Sequence, residues 1–285
     1  MHGGRRTWCG RRGRERLCAV TPTHLELAGL TTRIVGPADA AVTCVLLHGF
    51  GAPGDNLVDL AGELDAPVRL VFPAAPLELG GLYGESRAWW MLDLARLEDE
   101  LRRGAPRDHR DEVPEGLAAA RDHVMRLLDQ LAARFAIAPE RLVLGGFSQG
   151  AMLSLDVALH RAAPPAGLIL MSGTLIAEAE WQPRMASLAG VPVMMSHGRH
   201  DALLPYHVAE VLRDRLTAAA WRRAEIRRTG TLAGVAGVPA LSPIRGLSGT
   251  QRLTIRARWP VAQPVACPSF APRSRLSRGR SRNNA

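Results

Sequence analysis

From Val42 onward, short continuous apolar runs alternate with stretches of helical period. AVTCVLLHG (41–49), VRLVFP (68–73), RLVLGGF (141–147), GLILMSG (167–173) and VPVMMSHG (191–198) are too short for helices and too uniformly apolar for strands with one wet face. Such runs are expected of strands buried on both sides, as in a parallel sheet covered by helices. Between them Leu117, Val124, Leu127, Leu128, Leu131 and Phe135 recur at helical spacing, and Val208, Val211, Leu212 and Leu216 do so again. Five strands and at least four helices in alternation predict a doubly wound α/β domain.

Two segments break the alternation. Residues 74–114 contain AWW (88–90) and the charged run LEDELRRGAPRDHRDE, too long for a simple connection and suited to a cover over the edge of the sheet. After Arg228 periodicity ends in TGTLAGVAGVPALSPIRGLSGT, and the last fifteen residues are rich in Ser, Arg and Pro. The expected organisation is a basic, disordered extension over 1–20, a folded domain over 21–228, and a tail over 229–285 with the composition of disorder.

Composition changes this picture in one respect. With 285 residues and 47% hydrophobic residues the chain can bury a sizeable core, which excludes disorder throughout. The net charge of +9 is unevenly spread. Residues 1–20 hold six Arg and one Glu, and residues 226–285 hold eleven Arg and no acid, so the span between them carries −7. The middle is thus mildly acidic, with basic ends. All 36 basic residues are arginine, as GC-rich coding would produce. Cys9, Cys18, Cys44 and Cys267 show neither a disulfide framework nor metal spacing, so a reducing cytoplasm is expected. Leu17–Val20 is too short for the apolar core of a secretory signal, and no run approaches the eighteen or so residues of a membrane span.

The chemistry centres on GFSQG (146–150), a Gly-x-Ser-x-Gly motif with a strand run before it and a helix-forming run after it. That context is a nucleophile elbow, a strained strand-to-helix turn that displays the Ser148 hydroxyl and needs small residues two positions away on each side. An elbow also requires an oxyanion hole. The Gly-rich loop in LLHGFGAPGDN (46–56) offers the backbone N–H of Phe50, and Gln149 offers the second. Asp55 is expected to cap a helix over 56–64.

LLHGFGAPGDNL, FPAAP (72–76), RAWW (87–90), GGFSQGAM (145–152), SG (172–173) and HGRHDALLP (197–205) occur in the order and approximate spacing of one family. Over about residues 24–225 the chain resembles the phospholipase/carboxylesterase family of α/β-hydrolases, which includes the acyl-protein thioesterases. The resemblance implies an α/β-hydrolase fold, Ser148 as nucleophile, Asp201 as the acid of the triad, the N–H groups of Phe50 and Gln149 as the oxyanion hole, and a small or lipid-like ester as substrate. It implies no cofactor. Asp201 also follows a buried strand on the edge where the elbow lies, although capping the helix that starts near Tyr206 explains the same residue. Trp89 and Trp90 are candidates for lining an acyl groove.

The resemblance places a catalytic histidine roughly thirty residues beyond the acid, in the window RRTGTLAGVAG (227–237). No histidine occurs there or anywhere after His207. His48 and His197 end strands, where a structural hydrogen bond is expected; His207 follows Asp201 too closely, and His109 lies in the covering segment. HGRHD (197–201) resembles a metal-ligand cluster but lacks further ligands, so no metal is expected. The acids end at Glu225 where the resemblance also ends, so residues from about Thr229 are expected to be out-of-frame translation, with the last strand and helix disrupted. The expected function is a serine ester hydrolase with impaired turnover. The competing reading is an inactive hydrolase-like protein whose basic tail binds nucleic acid or another anion, for which Trp259 and Phe270 are sparse stacking platforms.

Overall fold

The computed structural model describes residues 22–62, 67–80, 84–104 and 108–229, and the sequence expectations for 1–20 and for the tail lie outside them. The strands are β1 (Thr23–Leu27), β2 (Leu30–Val35), β3 (Val42–Leu47), β4 (Val68–Pro73), β5 (Leu77–Glu78), β6 (Arg87–Ala88), β7 (Leu142–Phe147), β8 (Gly167–Met171), β9 (Pro192–Gly198) and β10 (Arg222–Thr229). The α-helices are α1 (Leu94–Arg103), α2 (Leu117–Phe135), α3 (Gln149–His160), α4 (Glu178–Trp181) and α5 (Tyr206–Ala218).

Eight strands form one sheet in the order β1-β2-β4-β3-β7-β8-β9-β10. The pairs from β4 to β10 are parallel, and β1/β2 and β2/β4 are antiparallel. The five apolar runs are the central strands, and the described domain is the mostly parallel α/β sheet that the pattern predicts. β1 and β2 add a hairpin whose two-residue turn has Ala28 at φ 53° and Gly29 at φ 74°. Positive φ at both turn residues matches the right-handed twist of the flanking strands.

Two expectations require correction. The segment at 56–64 is a short 3-10 helix, Val58–Gly62, and the Asp55 side chain pairs with Arg33 at 3.3 Å. The Val58 N–H is taken by the Asp55 carbonyl at 2.9 Å, a tight turn that leaves no α-helical start to cap. The last strand is also formed rather than lost: β10 pairs in parallel with β9 and ends with Thr229 beside Gly198. Its sequence, RRAEIRRT, escapes detection because it is charged, a composition suited to a sheet edge.

α2 buries Leu117, Ala120, Val124, Leu127, Leu128 and Leu131, the stripe expected of a helix lying on a sheet. In α3 every residue from Gln149 to Leu159 is buried. Asp156, fully buried in α3, is held by Arg121 Nε at 2.6 Å and by Trp181 Nε1 at 2.8 Å, which fastens α2 and α4 to α3. A carboxylate there is tolerable only because both oxygens are bonded.

α3 approaches the sheet closely because of two glycines. A Cβ at Gly150 would run into the carbonyl of Leu47, and one at Gly146 into the same oxygen and 2.6 Å from the Gly150 carbonyl carbon. Gly150→Ala is therefore expected to destabilise the domain by on the order of 2–3 kcal/mol. Gly62→Ala, with open space around it, should stay within about 0.5 kcal/mol of the parent. Urea unfolding of both variants checks this; equal stability would contradict the close approach.

Candidate active site

β7 delivers Phe147 opposite Met171 of β8, which in turn lies opposite Ser196 of β9. Ser148 is the next residue, at the carboxyl edge of the sheet, with φ 51° and ψ −117°. For a residue with a Cβ this is a strained conformation, sustained only where its surroundings fix it. They do so here: the Ser148 N–H donates to the Met171 carbonyl at 2.8 Å, its carbonyl accepts from Ala151 and Met152, and the glycines two residues away on either side lie against Leu47. Ser148 is half-buried.

The loop after β3 passes beside this serine. A Cβ at Gly49 would stand 3.3 Å from the Ser148 Cβ and 3.1 Å from Phe147 Cδ1. Phe50 follows, half-buried, and among the described residues nothing accepts from its N–H. Gly51 N–H donates to the Arg87 carbonyl at 2.9 Å, and Arg87 N–H donates to the Ala52 carbonyl at 3.0 Å, so the segment before Trp89 braces the loop. Gln149 is the first residue of α3, where a backbone N–H has no acceptor within the helix. Phe50 and Gln149 thus come from the two segments that flank the serine.

Asp201 leaves the same edge, three residues beyond the end of β9. Its Oδ1 accepts from the N–H groups of Leu203 and Leu204, both at 2.9 Å, and Oδ2 lies 3.9 Å from His197 Nε2. It orders its own turn and does not cap α5, whose first flanking residue is Pro205. Among the described residues Oδ2 makes no short hydrogen bond, on a side chain 23% exposed.

Two of the histidines, His48 and His109, have both ring nitrogens engaged away from Ser148. His48 is buried; its Nε2 accepts from the Ala75 N–H at 2.9 Å and its Nδ1–H donates to the Gly49 carbonyl at 2.8 Å. Burial pushes its pKa down to about 4, against a smaller opposing effect of the Gly49 hydrogen bond, so the ring is neutral at physiological pH. Both ring nitrogens are used in holding the loop. His197, also buried, donates from Nε2 to the Leu204 carbonyl at 2.7 Å, and its Nδ1 has no hydrogen-bond partner among the described residues. His109 sits between Glu112 (2.8 Å) and Glu100 (3.1 Å) beside Arg96. His207 is exposed on α5. Cys44 offers no alternative nucleophile, since burial pushes its thiol up to about 12.

Trp89 and Trp90 are each 2% exposed, so neither indole faces an open groove. The apolar surface of this segment is Met91, 57% exposed, with Leu92 and Leu94. A cavity of about 360 Å³ opens near the loop after β3, lined by Arg33, Pro53, Ala74, Glu78, Glu85 and Arg87 among others. Among the described residues no three His, Cys, Asp or Glu side chains converge as metal ligands, and no helix is long and apolar enough to cross a membrane.

Below pH 6.5 an unfolded His48 takes up a proton that the folded ring resists until about pH 4. The unfolded state therefore binds more protons in that window, and stability falls as pH drops through it, by on the order of 2–3 kcal/mol for this group. His48→Gln is expected to flatten the loss of stability between pH 6.5 and 4.5, measured by urea unfolding at both pH values. An unchanged slope would show that His48 titrates normally.

Residues 31–230 match the model of a family described as Phospholipase/Carboxylesterase. Acyl-protein thioesterase 1 of Mycosarcoma maydis is 29% identical over 203 residues, 64% of this chain and 79% of that protein. The protein of the same name from Eremothecium gossypii is 29% identical over 183 residues, 61% of this chain and 72% of its own length. Among solved structures, that of esterase PE8 has a TM-score of 0.56 and 25% identity, covering 70% of this chain and 90% of that one. A carboxylesterase from Mesorhizobium loti, 18% identical with a TM-score of 0.57 over 74% of this chain and 91% of its own, shares the fold. The strained serine between close-packed glycines stands in this setting on an α/β-hydrolase fold, and the chain belongs to the phospholipase/carboxylesterase family of ester hydrolases.

Proposed function

We propose that this protein acts on carboxylic esters or thioesters through an acyl-enzyme at Ser148, and that turnover by this chain is impaired because it lacks the histidine base. The observation carrying the first half is the Ser148 backbone at φ 51°, held between glycines that contact Leu47, beside the loop bearing Phe50. In the proposed step the Ser148 Oγ attacks the substrate carbonyl carbon and gives up its proton to water, while the carbonyl π pair moves onto the carbonyl oxygen. The oxygen becomes an oxyanion that the Phe50 and Gln149 N–H groups stabilise. Collapse expels the alkoxide or thiolate, which takes a proton, and water then attacks the acyl group to release the acid and restore Ser148.

The second half rests on the sequence beyond β10. That strand ends with Thr229 beside Gly198, at the edge of the sheet where Ser148 and Asp201 also emerge. The connection has no histidine, and the family match stops at residue 230. Asp201, with Oδ1 held by two backbone N–H groups, is proposed as the acid that would orient an imidazole through Oδ2. The match boundary, the last acid at Glu225 and the all-arginine basic set together support a change of reading frame near Thr229. Sequencing of the locus tests that origin; a continuous frame through Ala285 would count against it. Cysteines without a paired framework support a cytoplasmic setting.

Loss of a triad member elsewhere costs on the order of 10⁴ to 10⁶ in turnover and leaves about 10³ to 10⁴ over water. Hydrolysis of p-nitrophenyl acetate by the purified chain should therefore be slow, be accelerated by free imidazole in a saturable way, and disappear with Ser148→Ala. Asp201→Asn should remove the imidazole acceleration. Imidazole acceleration equal in Ser148→Ala and parent would overturn the assignment, and fast turnover without imidazole would overturn the impairment.

A further inference from the structure

We propose that the Gln149 side chain is a positioning group, gripping the backbone of the Trp89–Trp90 turn and thereby setting the loop that carries Phe50 against Ser148. The inference rests on the reading of Ser148 as nucleophile and adds a second role for the residue beside it. Gln149 is 1% exposed. Its Oε1 accepts from the Trp89 N–H at 2.9 Å and its Nε2 donates to the Trp90 carbonyl at 2.8 Å. One planar carboxamide thus satisfies a donor and an acceptor on successive residues, as a neighbouring peptide group would. A buried amide costs free energy unless both ends are bonded, and a methionine of similar length would fill the space without that cost.

The contact continues past Trp89. Its indole Nε1–H donates to the His48 carbonyl at 3.0 Å, and the His48 ring ties Ala75 to Gly49. A chain of buried hydrogen bonds therefore runs from the first residue of α3 through Trp89 to the residues immediately before Phe50. Trp90 is also backed by α2, since a Cβ at Gly116 would stand 3.1 Å from the Trp90 Cβ. The exposed Met91 and Leu92 begin where this anchorage stops. Burial of both indoles supplies the free energy, and the carboxamide supplies the register. An oxyanion donor misplaced by about 1 Å can cost on the order of 10²-fold in rate, so register of the Phe50 N–H against Ser148 is where the carboxamide acts.

Hydrogen exchange of the full chain, followed by mass spectrometry, is compared for the parent, Gln149→Met and Trp89→Phe, together with the rate at which a fluorophosphonate modifies Ser148. Gln149→Met, which removes two buried hydrogen bonds, should speed exchange in the segments 88–91 and 49–52 by about tenfold or more, and slow phosphonylation by about tenfold or more. Trp89→Phe, which removes only the indole donor, should speed exchange at 49–52 while 88–91 stays protected. Unchanged protection in both segments of Gln149→Met, or faster exchange spread evenly over the sheet with phosphonylation unaltered, would overturn the proposal. Should Gln149→Met not fold, the Trp89→Phe pattern decides alone. Absence of labelling in the parent even with free imidazole supplied would defeat the nucleophile assignment, while the exchange pattern still decides whether the clamp exists.

Discussion

The site depends on how closely α3 can approach the end of β3. Ser148 adopts φ 51°, a conformation that an isolated serine avoids, because Gly146 and Gly150 let the Leu47 carbonyl pass where a Cβ would otherwise stand. That approach brings Gly49 into contact distance of the serine and places Phe50 at the mouth of the turn. It also puts the first residue of α3, whose N–H is unused by the helix, on the other side. Widening the gap by one methyl group would alter the displayed hydroxyl and the position of both donors together.

Around that contact three buried polar groups have both of their ends bonded. His48 is kept neutral by burial and has both nitrogens engaged, Gln149 has both ends of its carboxamide engaged, and Asp156 is closed by Arg121 and Trp181. Such satisfied networks fix one arrangement of loops over the carboxyl edge of the sheet. Asp201 is different in kind, since one oxygen is held by its own turn and the other has no short hydrogen bond among the described residues. A half-engaged carboxylate on the edge that displays Ser148 fits the proposal that it would orient a base.

The central strands were readable because burial on both faces imposes uninterrupted apolar runs, and the strained strand-to-helix turn at Ser148 because such a turn demands small residues at fixed spacing. β1 and β2 mix polar and apolar positions at the border of the sheet, and β10 is charged, so neither carries the signal of a buried strand. Asp55 read as a cap from local spacing alone; its partner, Arg33, is twenty-two positions away and only the fold brings them together. Trp89 and Trp90 looked like groove residues because nothing in a covering segment reveals whether an indole faces in or out. Both are buried, and the Gln149 side chain bonds their backbone, a pairing with no sequence periodicity.

The most direct test of the account is to expose the purified chain briefly to an activated ester, quench in acid and map the acylated peptide by mass spectrometry. A displayed hydroxyl with oxyanion donors but no base should give a single adduct, on Ser148, that forms slowly and persists because deacylation also lacks the base. An adduct spread over surface residues, or its appearance unchanged in Ser148→Ala, would contradict the claim that this serine is the nucleophile.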